Sequence, residues 1–159
     1  MAALGFIGMG NMGYAVLKGT QKAFAKEDII FHSNTMEKMK QIADAEGISY
    51  KLSNQEVTAE AKYIILAVKP QMFEKILPEL KESITPENVV ISLAPGVTIA
   101  ELEEMCGTKR IVRTMPNTPA MVGEGMTGVS YHKENFTQEE CEVIEKIFSS
   151  IGKMSVVEE

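Results

Sequence analysis

The sequence predicts a doubly wound α/β fold whose mostly parallel sheet has about eight strands, the last two forming an added edge pair. Three observations lead to this prediction. Apolar runs of strand length alternate with segments of helical period along nearly the whole chain. A glycine-rich turn follows the first apolar run. Residues 63–68 (YIILAV) show the continuous apolar pattern of a central parallel strand that is covered on both faces.

The strands follow from short apolar runs bounded by polar residues or glycine. They are predicted at residues 4–7, 29–32, 48–51, 63–68, 89–93, 111–114, 126–131 and 154–157. The strand at 48–51 is expected at an edge, and one of the last two strands is expected to run antiparallel. Residues 115–128 are rich in Gly, Pro and Thr and are predicted to be irregular before the chain returns as a strand.

The helices follow from apolar residues that recur at helical spacing between the strands. Their inward positions are predicted to be Met12, Ala15, Val16; Met36, Met39, Ile42, Ala43; Val57, Ala61; Met72, Phe73, Ile76, Leu77, Leu80; and Ile144, Ile147, Phe148, Ile151. N-caps are predicted at Asn54, at Thr98 with Glu101 and at Thr137 with Glu140, and helix stops at Gly47, Gly107 and Gly152.

Composition and charge narrow the classes of function. The 159 residues indicate one domain, 1–159, with 45% hydrophobic and 24% charged residues. A net charge of -6 without a run of Lys or Arg argues against nucleic acid or a membrane as partner. Cys106 and Cys141 stand in no metal or redox spacing, and the chain has neither a signal-peptide pattern nor a run of about 18 apolar residues. We therefore expect a cytoplasmic protein without a bound metal.

The stretch 4–18 (LGFIGMGNMGYAVLK) contains Gly8, Gly10 and Gly13 in the spacing G-x-G-x-x-G, between a predicted strand and a predicted helix. In this context the spacing indicates a dinucleotide-binding turn. Gly8 allows the tight turn, Gly10 allows the backbone to approach a pyrophosphate, and Gly13 allows the helix to pack closely on a strand. A glycine turn that holds no ligand is the alternative reading.

The end of the second predicted strand bears on the choice of nucleotide. An NAD-selective site usually has Asp or Glu there to bind the ribose hydroxyls. This chain has His32, Ser33, Asn34 and Thr35 instead, and Lys38 follows one helical turn later. The neutral donors and the absence of a carboxylate favour NADPH over NADH. The same residues could also simply begin a helix.

Three later strand ends carry small residues and prolines. They are 67–70 (AVKP), 92–96 (SLAPG) and 113–119 (RTMPNTP). In a doubly wound sheet, ligands bind beyond the carboxyl ends of the strands. Rigid, closely approaching backbone at three successive ends is suited to lining a nicotinamide pocket, although each one alone could be an ordinary turn.

Together, GFIGMGNMG (5–13), AVKP (67–70) and MPNTPAMVGEG (115–125) resemble pyrroline-5-carboxylate reductase, an enzyme with an N-terminal Rossmann domain. The last motif is the most specific of the three. The resemblance implies hydride transfer from NADPH or NADH to the C=N bond of 1-pyrroline-5-carboxylate, giving L-proline in the last step of proline biosynthesis.

The resemblance also assigns site residues. Cofactor contacts are expected at Ile7, Gly8, Met9, Gly10, Asn11, Met12, Gly13, Ser33, Asn34, Asn54, Ala67, Val68, Lys69, Pro70 and Ala94. Met115, Pro116 and Asn117 are expected on the substrate side. Lys69 is not expected to be the catalytic acid, because a solvated lysine is a poor acid near neutral pH.

Members of that family are longer and have a helical C-terminal domain that builds a homodimer or higher homo-oligomer. In them, this domain supplies the catalytic hydroxyl and binds the substrate carboxylate. Because the chain ends at Glu159, we expect it to represent the cofactor domain alone, with no catalytic residue assigned within it. Two alternatives stay open: another NADP-dependent dehydrogenase of the β-hydroxyacid type, and a non-catalytic NADP-binding module.

Overall fold

The protein, described here from a computed structural model over residues 2–94, 96–116 and 125–156, is built on one central sheet. Its strands are β1 (Ala2–Ile7), β2 (Ile29–His32), β3 (Ser49–Tyr50), β4 (Ala61–Leu66), β5 (Val89–Ser92), β6 (Ile111–Pro116), β7 (Gly125–Tyr131) and β8 (Gly152–Val156). Within the described residues the sheet has 8 strands in the order β3-β2-β1-β4-β5-β6-β7-β8. Neighbouring strands run parallel, except that β7 is antiparallel to β6. The predicted doubly wound sheet with an added edge pair is confirmed.

Two strand boundaries differ from the prediction in a way that matters for the site. β4 begins and ends two residues earlier than the predicted 63–68, so that Ala67 and Val68 follow its last residue at the carboxyl edge of the sheet. β6 continues to Pro116, because its last residues pair with β7, at Met115↔Gly128 and Pro116↔Thr127. The prediction of an irregular 115–128 segment is therefore wrong at both ends. Residues 117–124 and 157 lie outside the described residues.

Six α-helices in the described ranges cover the two faces of the sheet. They are α1 (Asn11–Thr20), α2 (Met36–Glu46), α3 (Asn54–Glu60), α4 (Phe73–Lys81), α5 (Ile99–Cys106) and α6 (Gln138–Ser149). One apolar core joins α1, α2 and α6 to the sheet, and a second joins α3, α4 and α5 to the opposite face. None of the described helices has the length and apolar character needed to cross a bilayer.

Most helix positions follow the predicted periodicity. Ala61 is an exception, because α3 ends at Glu60 and Ala61 is the first residue of β4. Met36 and Met72 are also exceptions, because both lie at the carboxyl edge of the sheet and are exposed by 44% and 36%. The positions predicted to face inward on the last helix are all fully buried, although Ile151 follows the end of α6 at Ser149. The two exposed methionines therefore mark the edge at which the helices begin rather than the core.

The helix caps agree with the prediction at Thr98 and Thr137, whose side chains accept from the N–H groups of Glu101 and Glu140. The prediction of Asn54 as an N-cap is wrong. Ser53 has extended backbone and its hydroxyl accepts from the third N–H of α3, so Asn54 becomes the first helical residue. Its side chain is thereby not used for capping.

Glycine stops are confirmed at Gly47 and Gly107, which have φ values of 71° and 69° in the left-handed region. The predicted stop at Gly152 is wrong, because α6 already ends at Ser149 and Gly152 is the first residue of β8.

Candidate functional site

The topological switch point of the sheet lies between β1 and β4. From β1 the chain turns to β2 on one side, and β4 opens the second half of the sheet on the other side. Helices that leave adjacent parallel strands toward opposite faces create a crevice at the carboxyl ends. Two backbone hydrogen bonds hold its floor: Ala67 N–H donates to the Ile7 carbonyl at 2.8 Å, and Gly8 N–H donates to the His32 carbonyl at 2.9 Å.

A cavity of about 340 Å³ occupies this crevice. It is lined by Gly8, Met9, Gly10, His32, Ser33, Asn34, Lys38, Asn54, Ala67, Val68, Lys69, Met72 and Ile76. The structure thus brings together the glycine loop, the end of β2, the start of α3 and the end of β4. These are the segments in which most of the cofactor residues were predicted.

Two of the three glycines are required by the protein itself. Gly8 has a φ of 88°, and a Cβ there would lie 2.4 Å from Val68 Cγ1 and 3.1 Å from the Ala67 carbonyl group. A Cβ on Gly13 would lie 2.5 Å from Ala67 Cβ, so α1 packs on the end of β4 only without a side chain at that position. The predicted roles of Gly8 in the turn and Gly13 in packing fit this geometry.

Gly10 is different, because neither its backbone nor its surroundings require glycine. Its φ of -72° and ψ of -177° are open to any residue, and the nearest atom to an added Cβ is the Ala67 carbonyl oxygen at 3.8 Å. Gly10 is the N-cap of α1, and the N–H groups of the first helical turn have no partner within a helix. A helix start of this kind attracts anions. The protein itself would tolerate a methyl group at this position, and its absence leaves space for a phosphate at the start of α1.

The β2 side of the cavity is polar and carries positive charge. Ser33 is buried, Asn34 and Lys38 are exposed, and no carboxylate is found among the described residues that line the cavity. Lys38 lies on α2 near Ser33 and Asn34, whereas Lys69 lies at the end of β4. The charge distribution is therefore suited to a ligand with phosphate groups.

Asn54 places an unsatisfied acceptor in the cavity wall. Its Oδ1 is buried and has no hydrogen-bond partner within the described structure. Buried polar atoms are rarely left unpaired in native proteins. A hydroxyl or amino group of a bound ligand would satisfy this oxygen.

Other predicted site residues do not line the cavity. Ile7 is fully buried below it, and Pro70 begins the 3-10 turn that leads into α4. Ala94 is buried, and its N–H donates to Ser92 Oγ at 3.2 Å. Asn11, Met12 and Gly13 form the first turn of α1 behind the glycine loop.

On the predicted substrate side, Met115 and Pro116 end β6 at the same carboxyl edge, with only their backbone described. Asn117 lies outside the described residues. The assignment of these three residues to the substrate stays a prediction.

Four of the lining residues were not among the predicted site residues. Met72 and Ile76 were assigned to the core stripe of α4, although they stand one turn apart at the start of that helix. Their position just after the strand-end motif at 67–70 was the signal that could have separated them from the core. Lys38 and His32 were noted near the adenosine side but were not included among the site residues.

A second cavity, of about 500 Å³, is larger than the one at the switch point and lies on another part of the surface. It is lined by residues 84–86, 107–110 and Asn135, which lie at the amino ends of β5 and β6. The Arg110 guanidinium there is already paired with Glu140 and with backbone carbonyls. Ligands of doubly wound sheets bind at the carboxyl ends, so the cavity at the switch point is the better candidate.

The sequence places the chain in a known family. A family model described as NADP oxidoreductase, coenzyme F420-dependent, matches residues 3–96, more than half of the chain. The chain belongs to this family. A single relative gives a second comparison. The chain is 39% identical over 153 residues to a pyrroline-5-carboxylate reductase of Methanosarcina acetivorans, and the match covers 94% of this chain and 56% of the relative.

Solved structures agree with the fold. A pyrroline-5-carboxylate reductase from Coxiella burnetii matches with a TM-score of 0.90 and 30% identity, over 99% of this chain and 59% of that chain. The Plasmodium falciparum pyrroline carboxylate reductase with NADP bound matches with a TM-score of 0.86 and 31% identity, over 99% and 58%. The resemblance predicted from the motifs is confirmed. The chain spans little more than half the length of the curated relatives it matches.

Proposed function

We propose that the chain binds NADPH in the cavity at the switch point and supplies the cofactor-binding half of a reductase that converts 1-pyrroline-5-carboxylate to L-proline. The observation that carries the cofactor proposal is Gly10, whose missing side chain is explained by a ligand and not by packing. The substrate proposal is supported by the family motifs and by the relatives described above.

The residues present fit such a cofactor. The start of α1 would hold the pyrophosphate, Ser33, Asn34 and Lys38 would bind the phosphorylated adenosine ribose, and Asn54 would accept a hydrogen bond from the nucleotide. Val68 and Lys69, which line the cavity, would border the nicotinamide half. When bound, NADPH would supply the hydride for the imine carbon, and the imine nitrogen would carry the added proton. Ala94, which follows β5, would lie beside the nicotinamide, and the family motif assigns Met115, Pro116 and Asn117 to the substrate side. The proton donor is not assigned to a described residue.

Gly10→Ala tests the cofactor proposal directly. We expect only a small fall in the thermal midpoint, because the added Cβ makes ordinary contacts and Ala is a poorer N-cap than Gly. We expect NADPH binding to weaken at least about fiftyfold, because the methyl group occupies the path of the pyrophosphate. Calorimetric titration with NADPH measures the change. Unaltered affinity in a folded Gly10→Ala variant would exclude this cavity as the dinucleotide site.

The substrate proposal is tested with a chimera in which this chain is joined to the remaining residues of the Methanosarcina acetivorans relative. We expect NADPH oxidation that depends on 1-pyrroline-5-carboxylate and is lost in the Gly10→Ala chimera. For the present chain alone we expect NADPH binding without turnover. A folded chimera that binds NADPH but oxidises it with no imine, or that turns over a β-hydroxy acid with NADP instead, would contradict the proposal.

Lys38→Met tests the preference for the phosphorylated nucleotide. Loss of the ammonium group should weaken NADPH binding about tenfold, corresponding to roughly 1.4 kcal/mol, and should leave NADH binding within about twofold. The matched control is Lys40→Met, an exposed lysine of the same helix that does not line the cavity. An equal loss for both nucleotides would show that Lys38 does not read the 2′-phosphate.

We further propose that the intact protein is a homodimer or a higher homo-oligomer and acts in the cytoplasm. The support is the family resemblance for assembly, and composition and charge for location. Light scattering on the chimera measures the assembly, and a monomeric active chimera would contradict it.

A further inference from the structure

His32 makes two contacts that join separate parts of the cavity. Its carbonyl oxygen accepts from Gly8 N–H at 2.9 Å, and its ring Nδ1 lies 2.8 Å from the Lys51 carbonyl oxygen. A carbonyl oxygen can only accept, so Nδ1 carries the hydrogen and donates it. In the neutral ring this leaves Nε2 as an acceptor.

The ring contact continues a strand pairing that is otherwise very short. β2 and β3 pair only at Ile30↔Ser49 and Phe31↔Tyr50. The next pair in that register is His32 with Lys51. There the Lys51 N–H donates to the Phe31 carbonyl at 2.7 Å, and the Lys51 carbonyl accepts from the imidazole. Both polar backbone groups of Lys51 are therefore held by β2.

Lys51 begins the connector to α3, and Asn54 follows three residues later as the first residue of that helix. The imidazole consequently fixes the start of the segment that carries the unsatisfied Asn54 oxygen, while the His32 backbone fixes the glycine loop. His32 thus links the glycine loop, through its backbone carbonyl, to the segment that leads to Asn54, through its ring.

We propose that His32 is a positioning residue of the nucleotide site, which acts through its Nδ1–H···O=C bond to Lys51 rather than by touching the nucleotide. This inference rests on the proposed function. If the bond pre-organises the cavity, loss of the Nδ1 donor weakens the binding of NADPH. It also weakens the binding of 2′,5′-ADP, a fragment that lacks the nicotinamide half.

Three substitutions separate positioning from direct contact. His32→Asn places an amide N–H near the position of Nδ1, His32→Gln places one near the position of Nε2, and His32→Leu fills the space without a donor. The matched control is His132→Leu, since His132 is exposed and lies next to the 3-10 turn after β7, away from the cavity.

We expect the dissociation constants of NADPH and 2′,5′-ADP to rise about tenfold in His32→Leu and His32→Gln, by loss of a pre-organising contact. Both constants should stay within about twofold of the unmutated chain in His32→Asn and His132→Leu. Amide hydrogen exchange without nucleotide should accelerate in the Leu and Gln variants only, at Lys51, whose N–H donates to the Phe31 carbonyl, and at Leu52, whose N–H donates to Glu56.

If His32→Gln keeps the nucleotide affinity and His32→Asn does not, the ring contacts the nucleotide directly through Nε2, and the inference is overturned. Unchanged nucleotide affinity in His32→Leu would overturn it as well. If His32→Leu fails to fold, the comparison of Asn with Gln decides alone. Failure of the unmutated chain to bind either nucleotide would instead contradict the proposed function, which keeps the two failures distinct.

Discussion

Glu140→Gln is expected to lower the free energy of unfolding by roughly 3 kcal/mol at neutral pH, because it removes the charge from a buried ion network. The Glu140 side chain is only 5% exposed. Its carboxylate accepts from the Arg110 guanidinium through both oxygens, from Lys62 Nζ at 3.2 Å and from Thr137 N–H at 2.9 Å. Without the charge, the Arg110 guanidinium stays half-buried with a poor partner, and the Thr137 capping box is weakened.

The pH dependence gives this prediction a specific form. The hydrogen bond from Arg110 lowers the pKa of Glu140 to about 2. A carboxyl group whose pKa is lower in the folded state stabilises the fold above its unfolded-state pKa of about 4.3, and this contribution disappears as the pH falls toward the folded value. The difference in unfolding free energy between the unmutated chain and Glu140→Gln should therefore be constant from about pH 7 to 5 and shrink between about pH 4 and 2.

Urea unfolding across this pH range measures the difference. Glu139→Gln is the matched control, since Glu139 is the preceding residue of α6 and is exposed. It should change stability by less than about 0.5 kcal/mol. A Glu140→Gln effect that stayed constant down to pH 2, or that equalled the Glu139→Gln effect, would show that the Arg110–Glu140 pair does not stabilise the fold.

Gly8→Ala is expected to lower stability by roughly 2–4 kcal/mol and to abolish measurable NADPH binding. Two separate penalties contribute. The φ of 88° disfavours any residue with a Cβ, and the added atom would lie 2.4 Å from Val68 Cγ1 and 3.1 Å from the Ala67 backbone. Relief requires the glycine loop and the end of β4 to move apart, which changes the floor of the cavity.

Gly47→Ala separates the two penalties. Gly47 also has a left-handed φ of 71°, but an added Cβ there meets only the flexible end of the Lys26 side chain, at 3.3 Å or more. We expect a loss of roughly 1 kcal/mol and unchanged NADPH affinity for Gly47→Ala. Thermal unfolding and NADPH titration of both variants decide the matter. Equal stability losses would mean that the contact with Val68 and Ala67 is not restrictive, and NADPH binding by Gly8→Ala would contradict the placement of the cofactor.

The sequence by itself determined the architecture and the location of the site along the chain. The apolar runs at 29–32 and 89–93 specify strands because they are short and rich in β-branched residues. The left-handed backbone at Gly8 and Gly47 could also be predicted from local sequence, because glycine is the residue that most readily adopts a positive φ. Two of the three predicted N-caps were correct on the same local grounds.

Only the tertiary structure decided which residues meet across the cavity. Ala67 excludes a side chain at Gly13, His32 holds Lys51, and Ser53 frees Asn54 to face the cavity. The first two of these contacts join residues that are far apart in the sequence, so residue spacing carries no information about them. The end of β4 shows the same limit: Ala67 and Val68 read as strand residues because they are apolar, yet β4 ends at Leu66 and both residues line the crevice. That crevice lies between helices on opposite faces of the sheet, and it exists only once the strands are ordered in space.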